Sequence, residues 1–250
     1  MWKKICGSVL CISILLCGGA CTSQEPVTEV TKTPVVATVS ESVSLLAARD
    51  YCRENGYDIE ELYNLTDCAV AVENGKYDYL ICDEYDEAVL ESFALSYVEA
   101  CAYKSQYSLC FNSASGDLCE QFNTSVNELT NNGTLKRICD SYKGIGEYEN
   151  AGTVGNPLYI LFPEGMEGYS SLNDEGEAEG IEIDIITALC NNLGYTPVFI
   201  SAQYDESFDL LANGEADLIF GVDYNSILGE DYIMSQPYFT VSYKVYEAKI

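Results

Sequence analysis

Apolar and polar positions fall into alternating blocks, and each block predicts an element. Pro34 to Val39 (PVVATV) is a continuous, β-branched apolar run and predicts a buried strand. After SESVS, the stretch LLAARDYCREN carries apolar residues at helical spacing, with Ser42 or Ser40 placed to cap the helix. DCAVAVENG predicts a short helix stopped by Gly75, YDYLICDE a second buried strand, and YSLCF (107–111) a third. Asp117 to Leu129 reads as a helix broken at Asn132-Gly133, and Thr134 to Tyr142 as another ending at Gly144. The segment 144–156 (GIGEYENAGTVGN) has four Gly and no apolar period, so it reads as a linker. The alternation then restarts: strand LYILF (158–162), helix Asp184 to Asn192, strand TPVFIS, helix ESFDLLANG, strand ADLIFGV and a last strand, FTVSYKVYE. This order predicts α/β layers with mainly parallel sheets.

An internal echo sharpens that picture. ENGKYDYLICDE (73–84) and ANGEADLIFGVD (212–223) share a helix end, Asn-Gly, an Asp three residues after the Gly, and an apolar strand. Gly75 and Gly214 suit the left-handed helix cap. Asp78 and Asp217 read as turn-bonding carboxylates. Asp83 and Asp223 stand at the C-terminal ends of their strands, the edge where open α/β sheets bind ligands. Two such units predict two similar lobes facing one cleft.

The first 21 residues, MWKKICGSVLCISILLCGGAC, place Lys3 and Lys4 before an apolar stretch and then small residues before Cys21. That order is expected of an export signal, and a Cys after small residues resembles a bacterial lipobox, with Cys21 acylated as the mature N-terminus. Residues 1–20 are then a signal peptide and 21–33 a polar tether. Eight further cysteines follow, most inside apolar runs and none in a CxxC pair, so buried free thiols are expected.

Composition removes several function classes. The chain of 250 residues holds 40 Asp+Glu against 12 Lys+Arg, a formal net charge of −28, and no His. Nucleic-acid binding is excluded because its affinity rests on Lys and Arg. His-based triads and His-containing zinc sites are absent by the same count. No cofactor or metal is expected.

The motif run YSSLNDEGEAEGIEIDIITALCNNLGYTPVFI, followed by LLANGEADLIFGVD and MSQPYF, resembles the solute-binding proteins of family 3, which carry the type II periplasmic binding fold. Those motifs span 158–249, corresponding to the family's N-terminal half. FNTSVNELTNNGTLKRICDSYKG (122–144) resembles its C-terminal helices, and 34–110 its second lobe. The order is inverted, which reads as a circular permutation; a fragment of a tandem pair is the rival account. The resemblance implies a two-lobe α/β fold with hinge strands near 104–110 and 238–246. It divides the chain into a second-lobe-like domain (34–105), a hinge strand with first-lobe helices (106–143), a linker fusing the old termini (144–156), the first lobe (157–240) and a closing hinge strand (241–250).

The same resemblance implies a binding site. The family's Gly-x-Ser-x-Thr-x-x-Arg run, whose Arg grips an amino acid carboxylate, reads here Gly221 to Leu228, with Asp223, Asn225 in place of the Thr and Leu228 in place of the Arg. Between Lys143 and Lys244 there is no Lys or Arg against 18 Asp+Glu. Tyr169 matches the aromatic platform, Asp83 the amino acceptor of the second lobe, and Ser42 a helix-start hydroxyl beside Glu41, where the family has Gly. Gly221, Asp223, Asn225, Tyr169, Ser42 and Asp83 are therefore the candidate ligand residues, suited to an amino acid or cationic amine. The expectation is an exported, lipid-anchored, monomeric receptor that delivers its solute to an ABC permease. The alternative is a degenerate sensor module working through a membrane partner. An enzyme is not expected, because the cleft half lacks His, Lys and Arg.

Overall fold

A computed structural model describes residues 32–152, 155–163 and 168–249. The signal, Cys21 and nearly all of the tether lie outside the described residues. No helix among the described residues is long and apolar enough to cross a membrane.

The first half of the chain builds β1 (Val35–Val39), α1 (Ser44–Asn55), β2 (Asp58–Leu62), α2 (Leu65–Glu73) and β3 (Tyr79–Asp83). Its strands are parallel, in the order β2-β1-β3. A short helix, α3 (Glu87–Leu90), leads to the long strand β4 (Leu95–Asn112), and α4 (Gly116–Asn131) and α5 (Thr134–Tyr142) follow. The second half then repeats the first: β5 (Asn156–Pro163), a small hairpin β6 (Ser171–Leu172) and β7 (Ala178–Glu179), α6 (Ile181–Leu193), β8 (Tyr195–Ala202), α7 (Tyr204–Ala212) and β9 (Leu218–Asp223). Here too the first strand is central, in the order β8-β5-β9 with parallel pairing. The chain closes with β10 (Tyr232–Met234) and β11 (Phe239–Ala248).

The two α/β lobes, numbered from here in chain order so that residues 34–105 lie in the first and 157–240 in the second (the reverse of the family's numbering), are joined by a strand exchange. β4, which follows the first unit, pairs antiparallel with β9 of the second, whereas β11, which follows the second, pairs antiparallel with β3 of the first. β4 and β11 also pair with each other from Phe239–Tyr107 to Ala248–Leu95, with irregular register near Ser242 and Tyr246. The sheet is thus parallel within each lobe, as the periodicity predicts, and antiparallel at its centre. The difference arises because β4 and β11 each cross to the other lobe and there run opposite to its last strand, β9 and β3 respectively.

Packing follows the sequence pattern. In α4 the buried residues Cys119, Phe122, Ser125, Val126 and Leu129 recur at helical spacing and form the face toward the core. α4 and α5 pack on α6, so they belong to the second lobe. One apolar core links Val36 and Ile81 of the first lobe to Phe111, Phe122, Ile160 and Phe220. Gly75 and Gly214 both take left-handed φ, 70° and 74°, directly after the caps of α2 and α7.

Two local expectations are corrected. Neither Ser40 nor Ser42 caps α1: Val43 is the cap residue, and the Ser42 hydroxyl donates to the Val39 carbonyl at 2.7 Å instead. Asp78 and Asp217 do not bond their preceding turns. Each accepts the backbone N–H of its lobe's central strand, Val35 and Tyr159 respectively, at 2.8 Å. Each returns its own N–H to the same residue's carbonyl, so the pair locks strand to strand.

All eight cysteines among the described residues are free thiols, seven of them buried. Burial pushes Cys68, Cys101, Cys110 and Cys190 up to about 12, which keeps them protonated and unreactive.

Candidate functional site

The C-terminal ends of β1, β2 and β3 turn into loops that surround a cavity of about 670 Å³. That volume is within the range of small-molecule sites, roughly 300–1,000 Å³. The β1–α1 loop contributes residues 39–44, and the β2–α2 loop contributes Tyr63, Asn64 and Leu65. Asp83 and Asp86 come from the end of β3 and the turn beyond it, and Tyr169 arrives from the second lobe. Three carboxylates, Glu41, Asp83 and Asp86, therefore face this space with hydroxyls and one amide. No Lys or Arg lines it.

Asp83 is buried at the strand end, where its Oδ1 accepts the Tyr85 N–H at 2.8 Å. Burial raises its pKa, and the Tyr85 N–H opposes that rise. Asp86 is pushed up to about 7, first by burial and then by the neighbouring Asp83 charge. Near neutral pH Asp86 is thus only partly ionised, and a cation arriving beside it can take the proton's place.

Tyr169 is only 7% exposed, its ring set edge-on to Tyr85 and tilted against Phe239. Its hydroxyl is buried beside Asp83 but outside hydrogen-bonding geometry, and burial together with the Asp83 charge raises its pKa strongly. With the ring enclosed by its neighbours, Tyr169 offers the cavity no open stacking face.

Two helices begin at the same rim. α1 starts at Ser44 without a side-chain cap, and α2 is capped by Asn64, which accepts the Asp67 N–H at 2.8 Å. Glu41 precedes α1 with φ 55°, and it is the one non-glycine residue with positive φ among the described residues. The position keeps the backbone shape that a glycine adopts freely, although Glu stands there.

Of the six candidates, Ser42, Asp83 and Tyr169 meet at this cavity; Gly221, Asp223 and Asn225 do not line it. Asp223 occupies the equivalent strand end of the second lobe and closes the equivalent turn, its Oδ1 accepting the Asn225 N–H at 2.7 Å. Asn225 is exposed, and Ile227 beside it is fully so. Leu228, at the site of the family Arg, packs on the apolar cluster of Cys110, Leu161 and Leu211. Gly221 is buried with φ 73°, and its N–H donates to the Tyr238 hydroxyl at 3.0 Å. That hydroxyl in turn donates to Glu182, which is fully buried, has one oxygen without a partner, and is pushed up to about 7 by burial.

The sequence reading missed Asp86, Tyr63 and Asn64. A signal existed for Asn64: Asn-Leu-Thr-Asp at a helix start is a capping pattern. Asp86 sits in the acidic run CDEYDE, which carries no sign of which acid turns inward.

A second point of contact between the lobes lies behind Asp83. Glu84 pairs with Lys143 at the end of α5 and accepts the Ser242 N–H of β11 at 2.9 Å, while Lys143 lies 4.9 Å over the Tyr85 ring. Among the described residues no cluster of His, Cys, Asp or Glu has the grouping a metal ion needs.

Residues 159–249 match the family of bacterial extracellular solute-binding proteins, family 3. The resemblance of this segment to that family is therefore shown. Among curated proteins none matches the chain in sequence. Similar solved structures include an ancestral cationic amino acid solute-binding protein (11% identity, 86% of this chain and 81% of that one, TM-score 0.45). Others are a phosphate-binding protein of a phosphate ABC transporter from Streptococcus pneumoniae (10%, 86% and 88%, 0.45) and the second substrate-binding domain of a protein described as an amino acid ABC transporter, also from Streptococcus pneumoniae (12%, 86% and 85%, 0.45).

Proposed function

We propose that this protein is an extracytoplasmic solute-binding protein that captures a small amine-bearing solute, a basic amino acid or a cationic amine, between its lobes for ABC-type import. The observation that carries the reading is the cavity at the C-terminal strand edge of the first lobe, with three carboxylates, no cation, and Tyr169 reaching in from the second lobe. Asp83 and Asp86 hold the ammonium group and the Tyr169 hydroxyl completes its hydrogen bonds. The match of residues 159–249 to a solute-binding family supports a binding role over catalysis. It also supports export; Cys21 as the lipid anchor rests on the small residues Gly18, Gly19 and Ala20 before it.

The arrangement of the chain supports a permuted order of the family's elements. Val36 pairs with Tyr79 and Tyr246 with Leu80, so β1 and β11 flank β3 at one end of the sheet. Two strand spacings separate them there, about 10 Å. At the other junction the 144–156 segment is tied to α6, with the Asn150 amide donating to Asp184 and the Asn191 amide to the Ala151 carbonyl.

A second reading, a sensor module whose transport site has decayed, is favoured by one observation. Leu228 packs, partly buried, against the second lobe's apolar cluster, where the family Arg would grip a carboxylate. A thermal-shift panel of anionic, neutral and cationic amino acids and simple amines tests the main reading. Stabilisation by cationic members and by none of the anionic ones is expected. Stabilisation by aspartate or glutamate alone refutes it, and no response to any solute favours the decayed module.

A further inference from the structure

We infer that Glu41 sets the ligand class of the cavity, barring solutes that carry a carboxylate and admitting amines that do not. This deepens the proposed amine-binding function and rests on it.

The argument begins with charge. An amino acid needs a place for its carboxylate as well as its ammonium. The second lobe offers none: its 144–243 stretch has no Lys or Arg, Lys136, Arg137 and Lys143 of α5 and its end do not line the cavity, and Leu228 packs against an apolar cluster. Within the cavity, the positive features are the starts of α1 and α2, each worth roughly half an elementary charge. The start of α2 is engaged by Asn64, with Asp67 in its first turn. The start of α1 has no side-chain cap and is the remaining place for an anion.

Glu41 stands at that place. It lines the cavity three residues before the first residue of α1, and no ion pair involves it among the described residues. Its full negative charge outweighs the partial charge of one helix start, so the rim repels a ligand carboxylate. The backbone there is held at φ 55°, which glycine accepts freely and glutamate does not. Glycine would leave the helix start open. Asp83, Asp86 and the buried, unpartnered Tyr169 hydroxyl remain to receive an ammonium group.

The test compares butane-1,4-diamine with L-lysine, similar chains that differ by a carboxylate, on the full chain by calorimetric titration at pH 7.5. In the unaltered protein the diamine is expected to bind at least tenfold more tightly than lysine. Glu41→Gly is expected to narrow that ratio at least tenfold by improving lysine. Glu41→Gln, which removes the charge but keeps the side chain and the backbone strain, is expected to narrow it about threefold. A diamine-to-lysine ratio that stays within threefold of the original in both variants overturns the inference while leaving amine binding intact. Failure of the unaltered protein to bind either compound, with capture of some other solute, overturns the amine reading and the inference together.

Discussion

Replacing Tyr169 by Phe separates what the hydroxyl does for the ligand from what it does for the fold. The ring is enclosed by Tyr85 and Phe239, and phenylalanine preserves those contacts. The hydroxyl itself is buried without a hydrogen-bond partner. A buried polar group left unpaired costs roughly 1–3 kcal/mol, so its removal from the free protein is expected to raise stability by about 1–2 kcal/mol. For a domain of this size that corresponds to roughly 3–6 °C in melting temperature. The ligand-bound state should respond in the opposite direction. A hydrogen bond to an ammonium group contributes about 1.5 kcal/mol or more, so affinity for a bound amine should fall roughly tenfold. Differential scanning calorimetry of the free protein and titration calorimetry with butane-1,4-diamine measure the two effects. A melting temperature that drops by 2 °C or more means the hydroxyl is already satisfied in the free protein, and the reasoning fails. Unchanged affinity removes Tyr169 from the site.

Other perturbations test separate parts of the structure. Glu41→Gly should stabilise the free protein by about 1 kcal/mol by relieving the left-handed backbone, a gain visible in urea unfolding; a loss refutes the strain argument. Glu182 holds a proton in the folded state that the unfolded chain releases above its ordinary 4.5, so its contribution to stability is fullest below 4.5 and declines as pH rises through about 7. The decline is about 3 kcal/mol. Glu182→Gln should flatten the pH profile of stability between 5 and 8, although Asp86, also at about 7, retains a fall of the same sign. A profile as steep as before shows that Glu182 is ionised in the fold. Lys143→Met leaves the partly buried Glu84 without its cation and should cost about 1–2 kcal/mol, most of it recovered by adding Glu84→Gln. A double variant no more stable than the single one means the pair is incidental.

Much of the architecture was legible because each lobe's buried strands are short apolar runs between amphipathic helices. PVVATV, YLICD, LYILF and ADLIFGV all appear as strands close to their predicted limits. Asn-Gly ends marked both echoing units. What escaped has a common cause. DIEEL (58–62) is an edge strand whose acids point to solvent, so its composition reads as a loop. Residues 95–106 of β4 are mostly exposed or half-exposed and mix Glu99, Lys104 and tyrosines, hiding an 18-residue strand of which only 107–111 looks apolar. Ser42 looked like a helix cap because cap and turn hydroxyls share one local pattern, and only the fold decides which carbonyl lies nearer. At the site, Asp83 was legible from its place at a strand end. Asp86, Tyr63 and Asn64 were not, because loops bring them together from three separate segments. Composition showed that residues 144–243 lack a cation; only the structure shows that Leu228 packs against the second lobe's apolar cluster.

The exchange of β4 and β11 also bears on how the molecule comes apart. Neither lobe owns the strand that completes its sheet: the first borrows β11 from beyond the second, and the second borrows β4 from beyond the first. Peeling either crossing strand strips hydrogen bonds from both lobes at once, since each is also bonded to the other. Heat or denaturant should therefore find one cooperative unit rather than two, and a chain divided at 144–156 should yield fragments that fold only when mixed. The boundary at which a ligand is gripped is, for unfolding, no boundary.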